Sequence, residues 1–182
     1  MAQHEWDWTR HEVSFGVWDR EKCVGLLRVI PLGCHVSEHG GDPDSPRYAA
    51  YGIYVQVRVE GLGVECTGGD FVHPDQLRAL LSLLKGDTPA PPAKALLCGD
   101  DGGIEIQFER SEEGYIAVDG RIPARGGTPE WMFSRDPLLL RTAMKTAVHF
   151  EFMLAPKQAI ESAAELANLL AYVRTVEERE SR

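Results

Sequence analysis

Apolar and polar residues alternate with a period of two along much of this chain, the spacing of half-buried β-strands. Residues 50–60 show it best. Ile53, Val55, Val57 and Val59 fall on one face, and Tyr54, Gln56 and Arg58 on the other. Residues 13–18 alternate in the same way, and residues 24–32 predict a second strand that ends near Pro31. Gly61 and Gly63 turn the chain, and residues 64–71 return as a partner strand with a bulge or kink expected at Gly68-Gly69. In the second half, residues 95–98 form a short apolar run, followed by a hairpin turn at residues 100–103. Ile104, Ile106 and Phe108 then alternate with Glu105, Gln107 and Glu109. Glu112-Glu113-Gly114 turns again, and Ile116, Val118 and Ile122 share a face. The last strand sets Val148, Phe150, Phe152 and Leu154 against His149 and Glu151.

Two segments change to the helical period. Pro74 suits a first helical position and Asp75 complements the positive end of the helix dipole. Leu77, Leu80, Leu81 and Leu84 follow at helical spacing, and Gly86 is a stop. A longer helix is expected from Pro156 to about Val176. Its stripe is Ile160, Ala163, Ala167 and Leu170, widened by Leu166, Leu169 and Val173. Residues 37–47 read as a long loop, 87–92 as a stiff connector, and Gly126-Gly127 as a loop leading to Trp131 and Phe133. Residues 1–12 form a polar arm with Trp6 and Trp8, which packs by those rings or stays loose, and residues 177–182 a frayed tail. Strands joined by hairpin turns, with a helix between two groups of strands and another at the end, predict an α+β fold. The expected architecture is one domain: an antiparallel sheet, curled or two-layered, with a short central helix and a long C-terminal helix packed on it.

A chain of 182 residues buries a real core without disulfides. Cys23, Cys34, Cys66 and Cys98 are widely spaced and form no CxxC, so free thiols in a reducing compartment are expected. No basic start followed by an apolar run, and no membrane-length apolar stretch, appears, which gives a cytoplasmic expectation. The net charge of -9 is concentrated: residues 35–119 hold 15 Asp and Glu against 6 Lys and Arg, and the other residues balance. Such a field disfavours nucleic acid and anionic membranes and attracts a basic partner.

Catalytic motifs are missing. There is no G-x-S-x-G elbow, Walker loop or G-x-G-x-x-G fingerprint. Cys98 lies before acidic residues, which raise a thiol pKa and so oppose nucleophilic activation. Glu105 and Glu109 flank Gln107 on one strand face, and His149-x-Glu151 is a conceivable acid–base pair; both patterns equally describe a solvated sheet face. Cys34, His35 and His39 lie near Asp42 and Asp44 with zinc-like spacing, but no second Cys/His pair is near, so no metal or other cofactor is expected.

Four segments carry a family resemblance: residues 51–59 (Tyr-Gly-Ile-Tyr-Val-Gln-Val-Arg-Val), the Leu-rich helix of residues 73–81, Ile104-Glu-Ile-Gln-Phe-Glu109, and the closing strand and helix start of residues 149–160. In their order, over roughly residues 48–175, the chain resembles the WapI-type immunity proteins of bacterial polymorphic and contact-dependent toxin systems. The resemblance implies a small cytosolic protein without catalytic residues that binds a toxin domain and blocks it. An acidic inhibitor suits the basic enzymes common among such toxins.

The leading expectation is therefore an inhibitor that occludes a basic toxin, with Asp100, Asp101, Glu105, Glu109, Glu112 and Glu113 as its contact surface. Residues 99–119 carry seven acidic residues and one basic residue, Arg110. One alternative is a small-molecule-binding domain or enzyme with Tyr54, Trp131, His149 and Glu151 lining a pocket in a curled sheet. Another is a structural or assembly subunit that pairs through exposed sheet edges.

Overall fold

The alternating segments pair into two separate antiparallel meanders. The computed structural model describes residues 7–19, 22–36, 50–61, 64–87, 93–100, 103–123 and 147–180. Sheet A has the order β1 (Val13–Asp19), β2 (Lys22–Val36), β3 (Ala50–Gly61), β4 (Val64–Val72). Helix α1 (Pro74–Lys85) leads to sheet B, ordered β5 (Ala93–Cys98), β6 (Glu105–Arg110), β7 (Ile116–Pro123), β8 (Ala147–Leu154). Helix α2 (Pro156–Glu180) follows. All neighbouring strands are antiparallel. The fold is α+β, with one short helix and one long C-terminal helix, as the residue pattern predicts. The loop at 37–47, Trp6, residues 88–92, Asp101, Gly126-Gly127, Trp131 and Phe133 lie outside the described residues.

The inner faces of both sheets and one side of each helix share a single core. Phe15, Leu27, Ile53, Val55 and Val57 come from sheet A; Leu97, Ile106, Phe108 and Val118 come from sheet B. Phe15 and Phe108 join the two, with ring centroids 5.3 Å apart. Burying each such large side chain contributes about 1.5–3 kcal/mol, so these contacts make the two sheets one unit.

Local signals explain α1. The Nδ1 of His73 accepts the N–H of Asp75 at 3.2 Å, and Gly86 ends the helix in the left-handed region at φ 78°. That conformation is cheap only for glycine, and it turns the Gly86 N–H back onto the Leu83 carbonyl at 3.1 Å. Leu77, Leu80, Leu83 and Leu84 are buried.

Four expectations are corrected. Strand β2 passes through Pro31 to Val36, because β1 reaches only to Val29 and a register shift follows Pro31 against β3. A proline without an N–H is tolerated at such an irregularity, beside a neighbour that has already ended. Gly68-Gly69 makes no bulge: β3 and β4 stay in register from Ile53↔Val72 to Gly61↔Val64. A Cβ at Gly69 would lie 2.7 Å from the hydroxyl of Tyr54, so this glycine makes room for a ring across the pair. Ile160 is 68% exposed, and the buried stripe of α2 is Ala159, Ala163, Leu166, Leu169, Val173 and Val176, with Ser162. Ser162 faces inward because its hydroxyl donates to the Ser14 carbonyl at 2.6 Å. Finally, α2 runs on to Glu180 rather than fraying after Val176, with Glu177 buried and Arg174 paired to Glu178 at 2.9 Å.

Helix α2 also covers the edge of sheet A. The carboxylate of Glu165 accepts the N–H of Ser14 at 2.7 Å, next to the Ser162 bond. Both outward backbone groups of Ser14 are thus used, which closes a strand edge that would otherwise invite pairing. The aromatic residue Trp8, in a 3₁₀ turn (Trp8–His11), is buried edge-on against Tyr172 of α2. Trp8 therefore packs by its ring.

Candidate functional site

The antiparallel register of sheet B brings its outward residues into three cross-strand rows. One is Lys94, Glu109, Ala117 and Met153; the next is Leu96, Gln107, Asp119 and Glu151; the third is Cys98, Glu105, Arg121 and His149. Neither helix covers this face: Lys94, Leu96, Glu105, Gln107, Asp119, Arg121, His149, Glu151 and Met153 are all exposed. Glu105 and Glu109 share the face, as the alternation predicts. Glu109 is partnered across the strand pair by Lys94 at 2.9 Å.

The remaining expected contact residues stand at the two ends of β6. Asp100 is exposed in the turn after β5, and Glu112 and Glu113 are exposed in the turn after Arg110. Asp101 lies outside the described residues. The structure adds Asp119 and Glu151, which the alternation of β7 and β8 already points outward. The described face and its ends carry Asp100, Glu105, Glu109, Glu112, Glu113, Asp119 and Glu151 against Lys94 and Arg121. Arg110 does not offset them at the surface, because its guanidinium donates to the carbonyls of Leu83 at 3.0 Å and Leu84 at 2.8 Å. It completes the C-terminal cap of α1 instead.

A buried carboxylate holds the Asp100 end. Asp70 of β4 is 3% exposed, and its two oxygens accept the N–H groups of Phe71 and Gly103, each at 2.8 Å. Gly99 is the reason the carboxylate fits, since a Cβ there would lie 1.9 Å from its oxygen. The Asp100 N–H donates to the Phe71 carbonyl at 3.0 Å, and the side chain of Gln76 accepts the Cys98 N–H at 2.8 Å. Sheet A and α1 therefore hold the end of β5 and the start of the segment leading into β6. Burial pushes the Cys98 thiol above its ordinary value of 9.0, and Glu105, Asp70 and Asp100 push it the same way. A thiol held protonated is a poor nucleophile.

The Glu112 end opens into a cleft of about 510 Å³ lined by Glu109, Glu112, Glu113, Tyr115, Ala117 and Met153, together with Arg110 and Ser111. Ala117 creates the depression, because it sits between the longer side chains of Glu109 and Met153 in its row. The Ser111 hydroxyl is buried without a hydrogen-bond partner among the described residues.

Among the described residues, Tyr54 does not meet His149 and Glu151 in one pocket. Tyr54 lies on the outer face of sheet A, against Phe71 at 5.0 Å between ring centroids, whereas His149 and Glu151 lie on the outer face of sheet B. Trp131 is outside the described residues. Among the described residues no group of three His, Cys, Asp or Glu is arranged to hold a metal ion, and His39, Asp42 and Asp44 lie outside them. Cys34, Cys66 and Cys98 are free thiols. No helix among the described residues is long and apolar enough to cross a membrane. No protein-family model, characterised protein or solved structure matches the chain.

Proposed function

We propose that this protein is an immunity-type inhibitor that binds a basic toxin domain through the outer face of sheet B and blocks it by occlusion. The observation that carries this reading is the uncovered, carboxylate-rich sheet face. Its side chains project from paired strands, so their backbone positions are set before a partner arrives, and only side-chain ordering is left to cost on binding. Charges of one sign on an exposed face speed the encounter with an opposite charge, and screening by salt weakens that steering. The protein acts by covering its target and carries out no chemistry of its own.

The test is co-expression with the polypeptide encoded immediately upstream of its gene, followed by binding of the purified pair. The native chain is expected to protect the host cell. Glu105→Lys with Glu109→Lys is expected to lower the on-rate and weaken binding by about ten-fold or more, the effect shrinking at high salt. Unchanged affinity and on-rate would remove this face from the interface. Absence of both protection and binding would overturn the inhibitor role.

A further inference from the structure

The cleft at the Glu112 end of sheet B has two chemically distinct parts. Its floor is apolar: Tyr115 and Met153 are 44% and 57% exposed, side by side with the small Ala117. Large apolar side chains left in water at one spot are a feature of contact surfaces. Its rim is anionic: Glu112 and Glu113 are exposed and make no ion pair among the described residues. Arg110 also lines the cleft, but its guanidinium is held by hydrogen bonds to the carbonyls of Leu83 and Leu84 rather than by these carboxylates. The cleft therefore presents the carboxylates of Glu112 and Glu113, an aromatic ring and a thioether together, with no ion pair on those two carboxylates among the described residues.

We propose that this cleft seats an arginine side chain of the protein partner. Its methylene stem would lie on Met153 and Ala117, and its guanidinium would meet the ring of Tyr115 and the carboxylates of Glu112 and Glu113. Arginine suits these walls better than lysine: the planar guanidinium both stacks on an aromatic ring and makes paired hydrogen bonds to carboxylates, and it sheds water more readily. A volume of about 510 Å³ leaves room for the neighbouring residues of the same segment. Arginine is also among the residues that most often anchor a protein interface. This inference rests on the reading of sheet B as a surface for a basic protein, and it names the anchor.

The experiment needs no cognate partner. A tri-arginine peptide amide is titrated into the intact chain, with the citrulline peptide as its uncharged isostere, and amide and methionine-methyl resonances are followed. The arginine peptide is expected to shift Tyr115, Ala117 and Met153. Glu112→Gln with Glu113→Gln is expected to weaken it by about ten-fold. Ala117→Phe, which fills the depression from the solvent side, is expected to abolish the shifts while leaving the sheet A resonances in place; Ala117→Leu serves if the larger ring disturbs the sheet. Equal binding of the citrulline peptide overturns the proposal, as do shifts confined to other surfaces. A dimer in light scattering that Ala117→Phe dissolves would give the cleft to a second copy and also overturn it. The two readings separate with the upstream-encoded partner. If Glu105→Lys with Glu109→Lys weakens that complex and Ala117→Phe does not, the anchor fails and the inhibitor surface stands. Arginine-peptide binding without inhibition of any toxin would leave the anchor and sink the inhibitor.

Discussion

Sheets A and B have the same plan, four antiparallel strands in sequential order with one face in a common core, yet their outer faces are finished differently. On sheet A the outward residues are long and lean on one another. Tyr54 lies against Phe71, Arg58 pairs with Glu60 at 2.9 Å, and Arg28 reaches Glu12 at 3.3 Å, so all six of these residues are half-buried. On sheet B nine outward residues are exposed, among them Glu105, Asp119, Glu151 and Met153, and apart from the Lys94–Glu109 pair at 2.9 Å few lean on one another. Sheet A spends its outer side chains on each other, whereas sheet B leaves them to solvent or to a partner. The same architecture thus carries a self-packed outer face in one half and an uncovered, charged one in the other, and the reading proposed for sheet B rests on that face rather than on the fold.

The contrast breaks most severely where the halves are joined. Asp70→Ala leaves the N–H groups of Phe71 and Gly103 without their carboxylate, at about 1–3 kcal/mol each. Denaturant unfolding should show a loss of about 2–5 kcal/mol, with hydrogen exchange rising first at Gly103 and Ile104. A loss below about 1 kcal/mol would mean that the carboxylate does not couple the sheets. Arg110→Ala should come next, at about 2–3 kcal/mol, because charged hydrogen bonds to two helix carbonyls are lost. Arg110→Lys should recover only part of this, since a point charge cannot reproduce the fork. Full recovery would reduce the cap to charge alone.

The outer faces themselves should differ by less. Tyr54→Ala on sheet A is expected to cost about 1–2 kcal/mol, and Gln107→Ala on sheet B to stay within about 0.5 kcal/mol. Equal costs would mean that the two outer faces are finished alike. The smallest effect separates two thiols. Burial raises Cys66 above 9.0, with the backbone N–H of Thr67 pulling it partway back, whereas Cys98 is raised by burial and by three carboxylates. A folded-state pKa above the unfolded one means that stability is fully present below pH 9.0 and is lost as pH rises through the folded value. Cysteine Cβ resonances followed against pH should show Cys98 moving back toward 9.0 in about 0.5 M salt, with Cys66 unmoved. The reverse order would contradict these causes.

Most of the scaffold was legible along the chain, and the failures share a cause. The period-two run of β3 and the caps of α1 are written in neighbouring residues, so they can be read locally. Pro31, Gly69 and Ile160 were misread because their surroundings come from other elements: the end of β1, the ring of Tyr54, and the Ser14 carbonyl that turns Ser162 inward. The acidic face shows the same division. Alternation alone puts Glu105 and Glu109 on one side. The depression at Ala117 depends on the register of three strands, and the diversion of Arg110 depends on a helix end some 26 residues away.

The clasp between α2 and β1 has a consequence for synthesis. Ser14 is held by residues 148 and 151 positions further along the chain. While the polypeptide is being made, sheet A can assemble early, but its β1 edge stays bare until residues 162 and 165 have left the ribosome. For that interval the nascent chain presents an unsatisfied strand, the kind of surface that recruits chaperones or sticks to its neighbours. Cells translating this message at high density should accumulate aggregates whose incidence falls when elongation through the α2 codons is fast.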